Sequence, residues 1–563
     1  PLDLAFNDIN DINSVEIAAR LIEAKAEEVE TDFAYFQEAI KNRNVNIRFD
    51  DGQTPLHLSA IHGHNAIAEY LLVNNAETSV QDSAGSTPLH ESVRYGNIEI
   101  TNLLLSNNAD VNAKDTLGKT PIMLRMPKEK VNETYELLIK YKSDLHQKDN
   151  FGDTVLHTAT MLQVDDEILL MLTQKGADIN ARNKEGVTPL LIAIQSGDVE
   201  MIKLLTSCGA NIHTKDTHGN SPLSIALSSD TEIFEATINS QNCNTQDSNG
   251  NTPLHMALLN DAPLLKVQHI ISLTDDVNLR NSEGNSPLFI TVLKNRKQVG
   301  TNLLQKNADI FSTNTNNNSP LSLALKYGGS VQDWLITSKT IRSTDGSGNT
   351  VLHYAAEWGY IDSIISLKAK GADINAKNAN GETCLFNAAK TDNPEVIQTV
   401  IDQGATIFER DNLGNTPLHT AVRWDAKESA NKLLELGINI NSQNSAGKSP
   451  LAEAVIAGKE KVAEFLLENN ADVNSSDTNG VTILMDTIRG QNKNLVELLL
   501  AYDANPNLQD IYGQNAYHYA AYIANIDIID LISWAGGNPL SRDKQGKTPF
   551  SLVINKNIEI AKA

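Results

Sequence analysis

The sequence predicts an α-solenoid, a continuous stack of short helix pairs, and three observations carry that prediction. One phrase, Thr-Pro-Leu-His, begins at Thr54, Thr87, Thr252 and Thr416, with degenerate copies beginning at Thr120, Thr154, Thr188, Ser221, Ser286, Ser319, Thr350, Thr383, Ser449, Thr482, Asn515 and Thr548. These sixteen copies step by 31 to 34 residues through a chain of 563, so the period belongs to the whole chain and not to one stretch. Each unit reads as two helices too short to bury an apolar face without a neighbour. The period also continues through the most polar stretch, Thr313 to Ser319, which therefore reads as a loop tip and not as disorder.

Residues 1–53 come first and are too long for one repeat and too short for two. Val15 to Glu28 and Phe33 to Asn42 each read as helices, so a divergent N-terminal unit without a proper tetrad is expected there. Residues 54–563 hold sixteen repeats of about 33 residues, the last incomplete, because the chain stops at Ile558 to Ala563 inside an expected second helix. Neither end supplies an obvious polar capping unit, and the chain reads as a fragment of a longer protein.

The unit from Thr87 to Lys119 shows the local chemistry. Thr87 is placed to cap a helix, and Pro88 follows at the first helical position, where a missing N–H costs nothing. Leu89, Ser92 and Val93 form a short stripe and Gly96 ends the helix. Ile98 to Leu105 carries apolar residues at helical spacing, and Asn107 to Asn112 closes it with residues that tolerate left-handed or turn conformations. Asp115 to Gly118 is a turn.

Three departures from the period are expected to alter the stack. Pro127 should end the first helix after Thr120 early. The units beginning at Ser221 and Ser319 are 31 residues long and have lost the usual closure, and Gly328-Gly329 weakens the turn in the second. These are the places where the array is expected to bend or change twist.

The tetrads, the closures at Ala109 to Asn112, Ala177 to Asn180, Ala372 to Asn375 and Ala471 to Asn474, and the D-x-x-G turns at Asp149, Asp216, Asp411 and Asp510 together make the chain resemble the ankyrin-repeat family. The resemblance covers nearly the whole chain. It implies helix pairs stacked into a curved superhelix, hairpin loops projecting at right angles, and partners that usually bind the concave face. It also implies a role for the fourth tetrad residue, whose ring in this family hydrogen-bonds between neighbouring repeats; His57, His90, His157, His255, His353, His419 and His518 stand there.

Composition narrows the function. With 70 acidic against 46 basic residues the formal net charge is −24, which repels a phosphate backbone, and no basic run offsets it. No apolar run is long enough to span a bilayer. Cys208, Cys243 and Cys384 are far apart, which excludes a C-x-x-C zinc site or a disulfide framework. A reducing, cytoplasmic setting fits this usage, although an exported or host-delivered protein would look the same.

Catalytic constellations are not found in the sequence. Gly-Lys-Thr or Gly-Lys-Ser occurs at Gly118, Gly447 and Gly546, but a phosphate loop needs glycine five positions earlier, where Ala113, Ser442 and Ser541 stand. His62-Gly63-His64 is the single local histidine cluster and is read as turn chemistry over metal binding. Asn112, Asn180, Asn375, Asn441 and Asn474 resemble in context the asparagines hydroxylated in animal ankyrin proteins, against which stands ordinary turn hydrogen bonding. No cofactor and no enzyme activity are expected.

Variation that is informative about partners lies at the eighth and ninth positions of each unit, counted from the first tetrad residue. The resemblance implies that these positions face the groove and set specificity. They read Arg94-Tyr95, Lys326-Tyr327, Glu357-Trp358, Lys390-Thr391 and Arg423-Trp424. Tryptophan, tyrosine and arginine dominate interface hot spots because they bury much area at limited entropic cost. An aromatic at a helix end also serves to cover the next repeat, but the clustering in the ninth to twelfth units predicts an aromatic and basic patch. Leu117, Phe151, Leu413 and Tyr512 at hairpin tips are secondary candidates. The chain is thus read as a non-enzymatic scaffold for a protein partner; the rival reading is a regulatory, targeting or mechanical segment of a larger effector, toxin or channel.

Overall fold

The computed structural model of the protein describes residues 45–49 and 51–553, and the helices expected over 15–28 and 33–42 and the end of the last repeat lie outside these residues. One compact unit ends at Pro287 and a second begins at Leu288. In the first, helix pairs follow one another from Pro55–His62 with Asn65–Val73, through Pro88–Arg94 with Ile98–Ser106, to Pro253–Leu259 with Leu264–Leu273. The second runs through Pro320–Tyr327 with Gly329–Leu335, Val351–Glu357 with Ile361–Ala369, Cys384–Ala389 with Pro394–Asp402 and Pro417–Arg423 with Lys427–Glu435 to Ala516–Ile523 with Ile526–Trp534. Neighbouring pairs pack first helix on first and second on second. Two isolated bridges, Thr344 with Thr350 and Ser476 with Thr482, are the β-structure of the described residues.

First helices start where the tetrad hydroxyl sits in extended backbone. Thr87 has φ −92° and ψ 165°, and its side chain accepts from the His90 amide. The tetrad histidine completes a reciprocal cap. Nδ1 of His90 accepts from the Thr87 N–H at 3.1 Å, which leaves the ring proton on Nε2, and Nε2 donates at 3.1 Å to the carbonyl of Lys119, the residue that leads into the next tetrad. The same pair of bonds recurs at His57, His157, His255, His353, His419 and His518, with the carbonyl of Ser86, Val187, Asn285, Glu382, Lys448 and Lys547. One side chain thus caps its own helix and ties it to the next unit.

The loops stack by a second device. Asp115 Oδ1 accepts from the amides of Leu117 and Lys119 at 2.9 and 2.8 Å, folding the turn, and Thr116 N–H donates to Ala84 O of the preceding loop at 2.9 Å. Gly85 has φ +74°, and a Cβ there would stand 2.6 Å from the Thr116 nitrogen, so the loops approach this closely only over glycine. Asparagine supplies a third tie. The side-chain oxygens of Asn112, Asn180, Asn375, Asn441 and Asn474 accept from the backbone amides of Asp144, Asn211, Thr406, Asp472 and Asn505, at 2.7 to 2.9 Å. These asparagines are therefore inter-repeat fasteners. Asn441→Ala is expected to leave the Asp472 amide without its partner and to cost about 1 kcal/mol, read as a lower urea midpoint.

The irregular units differ from expectation in instructive ways. In the repeat beginning at Thr120 the first helix does not form; two 3-10 turns, Pro121–Met123 and Lys128–Lys130, flank Leu124 in extended backbone, and the second helix follows as Val131–Lys140. Pro127 does more than shorten the helix, because it also drives the preceding residue out of the α region and leaves too few residues to nucleate a full turn. Just before the 31-residue unit that begins at Ser221, a Cβ on Gly219 would meet nothing within 4 Å, so the loop of that unit does not close on it. There Lys266 compensates: its Nζ donates to the carbonyls of Ala226, Leu227 and Ser229 and lies 5.2 Å from the Phe234 ring centre. In the 31-residue unit after Ser319, Trp334 is buried, donates Nε1–H to Asn295 Oδ1 at 3.0 Å, and presses its ring on Gly300 in the helix Lys297–Gln305.

Candidate functional site

First helices are two turns long, so the eighth and ninth positions fall where the chain leaves the helix. Tyr95, Trp358 and Trp424 are the capping residues at the C-terminal ends of Pro88–Arg94, Val351–Glu357 and Pro417–Arg423. Lys390 holds the equivalent end of Cys384–Ala389. Their side chains leave from the end of the first helix, at the short turn into the second.

The rings at this register have different surroundings. Trp424 is 60% exposed, and Lys390 of the preceding repeat lies over it with Nζ 5.8 Å from the ring centre. Tyr95 and Tyr327 are likewise exposed, with Lys326 beside Tyr327. Trp358 is only half-buried in the open sense, since its ring stands 4.9 Å from Tyr354 and 6.2 Å from Tyr360, and Tyr354 in turn meets Phe311 at 5.8 Å. Tyr354 donates its hydroxyl proton to Asp345 Oδ2 at 2.6 Å, and burial with this bond pushes the phenol pKa up. Trp358 is thus a member of an aromatic stack that spans neighbouring repeats.

Three charged residues at the register are paired. Arg423 donates to Glu453 of the next repeat at 3.0 Å, Arg94 lies 3.7 Å from Glu91, and Glu357 accepts from Asn387 at 2.8 Å. Burial pushes the Glu91 carboxyl pKa up, and the Arg94 guanidinium opposes that shift. The structure therefore joins Lys390 to Trp424, ties Arg423 and Glu357 to their neighbours, and leaves Tyr327 and Tyr95 standing free in solvent. Leu117, Phe151, Leu413 and Tyr512 are exposed at the loop tips, while their backbone carbonyls accept from the following loop.

Reading the eighth position through every unit would have found more. Met161, Leu259, Leu293, Ile456 and Tyr522 occupy it and are exposed. Arithmetic on the tetrad positions was the available signal. Trp534, 91% exposed at the end of Ile526–Trp534, lies off this register, and no periodic signal marks it.

Trp358→Ala and Trp424→Ala are expected to differ. Removing Trp358 strips the ring that packs on Tyr354 and Tyr360 and, for a half-buried side chain, costs about 1–2 kcal/mol, seen as a lower melting temperature. Trp424→Ala leaves melting within about 0.5 kcal/mol of the parent. Equal melting curves for the two variants would show that the Tyr354 stack does not hold the fold.

Among the described residues no three histidine, cysteine or carboxylate side chains come together as a metal site, and no helix is long and apolar enough to cross a membrane. Burial pushes the Cys384 thiol up to about 12, far from a reactive thiolate.

A stack of capped helix pairs tied repeat to repeat defines an α-solenoid, a class of protein that offers an extended surface. A family model described as ankyrin repeats matches residues 13–115, 122–216, 223–314, 288–378, 364–444 and 440–510, and the chain belongs to the ankyrin-repeat family, whose repeats generally mediate protein–protein interaction. The NF-kappa-B inhibitor alpha proteins of Sus scrofa and Homo sapiens are 28% identical to it over 109 residues, 18% of this chain and 35% and 34% of theirs. The chain thus matches about a third of the length of these curated relatives. The crystal structure of the human ASB11 ankyrin repeat domain is similar at 26% identity and a TM-score of 0.34, covering 38% of this chain and 96% of that one.

Proposed function

We propose that this chain is a non-enzymatic scaffold that captures a protein partner on the face made by the ends of its first helices, the face that lies on the concave side in this family. The observation that carries the reading is Trp424, an exposed indole held under the Lys390 ammonium at the end of a first helix. A large ring restrained by a cation presents area without losing much entropy on binding. Tyr327 and Lys326 extend the same register. Surface is what the array offers in quantity. The net charge of −24 opposes nucleic acid as the partner, and three free cysteines suit a reducing compartment.

Proximity labelling in cells, followed by capture with purified parent and variant chains, tests the reading. Tyr327→Ala with Trp424→Ala is expected to release the labelled partner while melting stays at the parent value. A partner retained by this double variant but lost on changing Leu117, Phe151, Leu413 and Tyr512 would move the interface to the loop tips.

A further inference from the structure

Arg94, Arg423 and Arg489 occupy the eighth position of their repeats and share one construction. Each guanidinium is paired with a carboxylate at a fifth position, Arg94 with Glu91 and Arg489 with Asp486 in the same repeat and Arg423 with Glu453 of the next, and the carboxylate is the buried member of the pair. Side-chain exposures are 40% against 5%, 44% against 14% and 61% against 6%. Glu453 is fixed further by Asn444, and Asp486 by Lys448 at 3.5 Å. A carboxylate held from beneath orients the guanidinium and leaves its outer N–H edge in water. Such a restrained fork loses little further entropy when it meets a second anion.

In the second compact unit two of these arginines bracket apolar surface. Arg423 adjoins Trp424 with Lys390 over its ring, Ile456 is half-exposed on the next repeat, and Arg489 follows on the one after. We propose that this strip binds an acidic, extended peptide segment whose apolar side chains rest on Trp424 and Ile456 while carboxylates on either side reach Arg423 and Arg489. The proposal rests on docking at the first-helix ends and adds the chemistry of what docks. Charge favours this occupant. In a chain of net charge −24, Arg423, Arg489, Lys390 and Lys448 here outnumber Glu453, Asp486 and the adjoining Asp425, so the strip carries excess positive charge that draws an acidic segment. Helices pack about 8–10 Å apart, so two repeat steps span roughly 16–20 Å, which about six residues of extended chain cover at 3.3 Å each.

The test uses the full chain and labelled peptides of about twelve residues, read by fluorescence anisotropy. One Glu/Leu peptide carries two Leu, one residue apart, between runs of Glu, a Lys/Leu peptide has Lys in place of every Glu, a third is polyglutamate, and poly(U) serves as the nucleic-acid probe. The Glu/Leu peptide is expected to bind best and to weaken as salt is raised. Arg423→Gln with Arg489→Gln, and separately Trp424→Ala, should each weaken it by about tenfold or more. Arg489→Gln alone, at the more exposed site, gives a variant whose melting should match the parent if the double variant folds poorly. Equal binding of the Lys/Leu peptide or of polyglutamate, tighter binding of poly(U), or arginine variants that bind like the parent would overturn the proposal. Should the arginine variants bind the Glu/Leu peptide like the parent while the Tyr327 and Trp424 variant releases its cellular partner, docking at the helix ends stands and the acidic segment falls.

Discussion

Acidifying the protein from about pH 7.5 to about pH 5.5 is expected to lower its melting temperature by more than about 5 °C. The cause is six rings, those of His57, His90, His157, His255, His353 and His419, whose pKa values burial holds below the ordinary histidine value, with the bond to the next repeat's carbonyl opposing that shift. In each, Nδ1 accepts the cap amide, so a second ring proton would place one N–H against another. The direction follows from linkage. These pKa values are depressed on folding, so above about 6.5 both states are neutral and stability is full. As pH falls below 6.5 the unfolded chain takes up protons that the folded chain refuses, and each ring withdraws up to about 1.4 kcal/mol per pH unit. Glu91 has a raised pKa and acts in the opposite direction, but it is one group against six. Circular-dichroism melts at several pH values check this, and a midpoint that stays flat down to pH 5.5 would show that the rings titrate alike in both states.

Gly300→Ala is expected to destabilise the second compact unit by about 2–3 kcal/mol, although helix propensity alone favours alanine over glycine by about 1 kcal/mol. Packing wins because a methyl at position 300 would overlap the six-membered ring of Trp334, which is buried and tethered through Nε1 to Asn295. The ring has to leave its site, and the repeat after Ser319, already short, loses its main apolar plug. Urea unfolding followed through tryptophan emission measures the loss. Adding Trp334→Leu to Gly300→Ala should recover part of it; a Gly300→Ala chain as stable as the parent would mean the ring moves aside at no cost.

Much of the fold was legible because its signals are local and repeated. A hydroxyl before proline caps a helix wherever it occurs, and asparagine or glycine ends one by accepting a left-handed backbone, as at Asn108 with φ +62°. Repetition then converts weak local signals into an architecture. The candidate site was legible by half. The eighth and ninth positions could be counted off the tetrad, and Trp424 stands exposed there, but Trp358 looked equivalent in sequence. Its difference comes from Tyr354 on its own helix and Tyr360 in the following turn, which meet its ring, and from Phe311, which backs Tyr354. Lys266 and Gly300 were invisible for the same reason: each answers a need created by another repeat, about 40 residues away in sequence at Ala226 and 34 at Trp334.

By itself the sequence determined the period, the short capped helices, the turn glycines and the register at which neighbouring units differ, because these depend on a residue and those within a few positions of it. Only the tertiary structure decided which side chains at that register are free to meet a partner, and which carboxylates lie beneath the arginines. Burial is set between repeats, and so is the pairing of Arg423 with Glu453, about 30 residues apart, whereas Arg94 and Arg489 meet carboxylates three residues away; the longer kind of contact exists only once the helices have stacked.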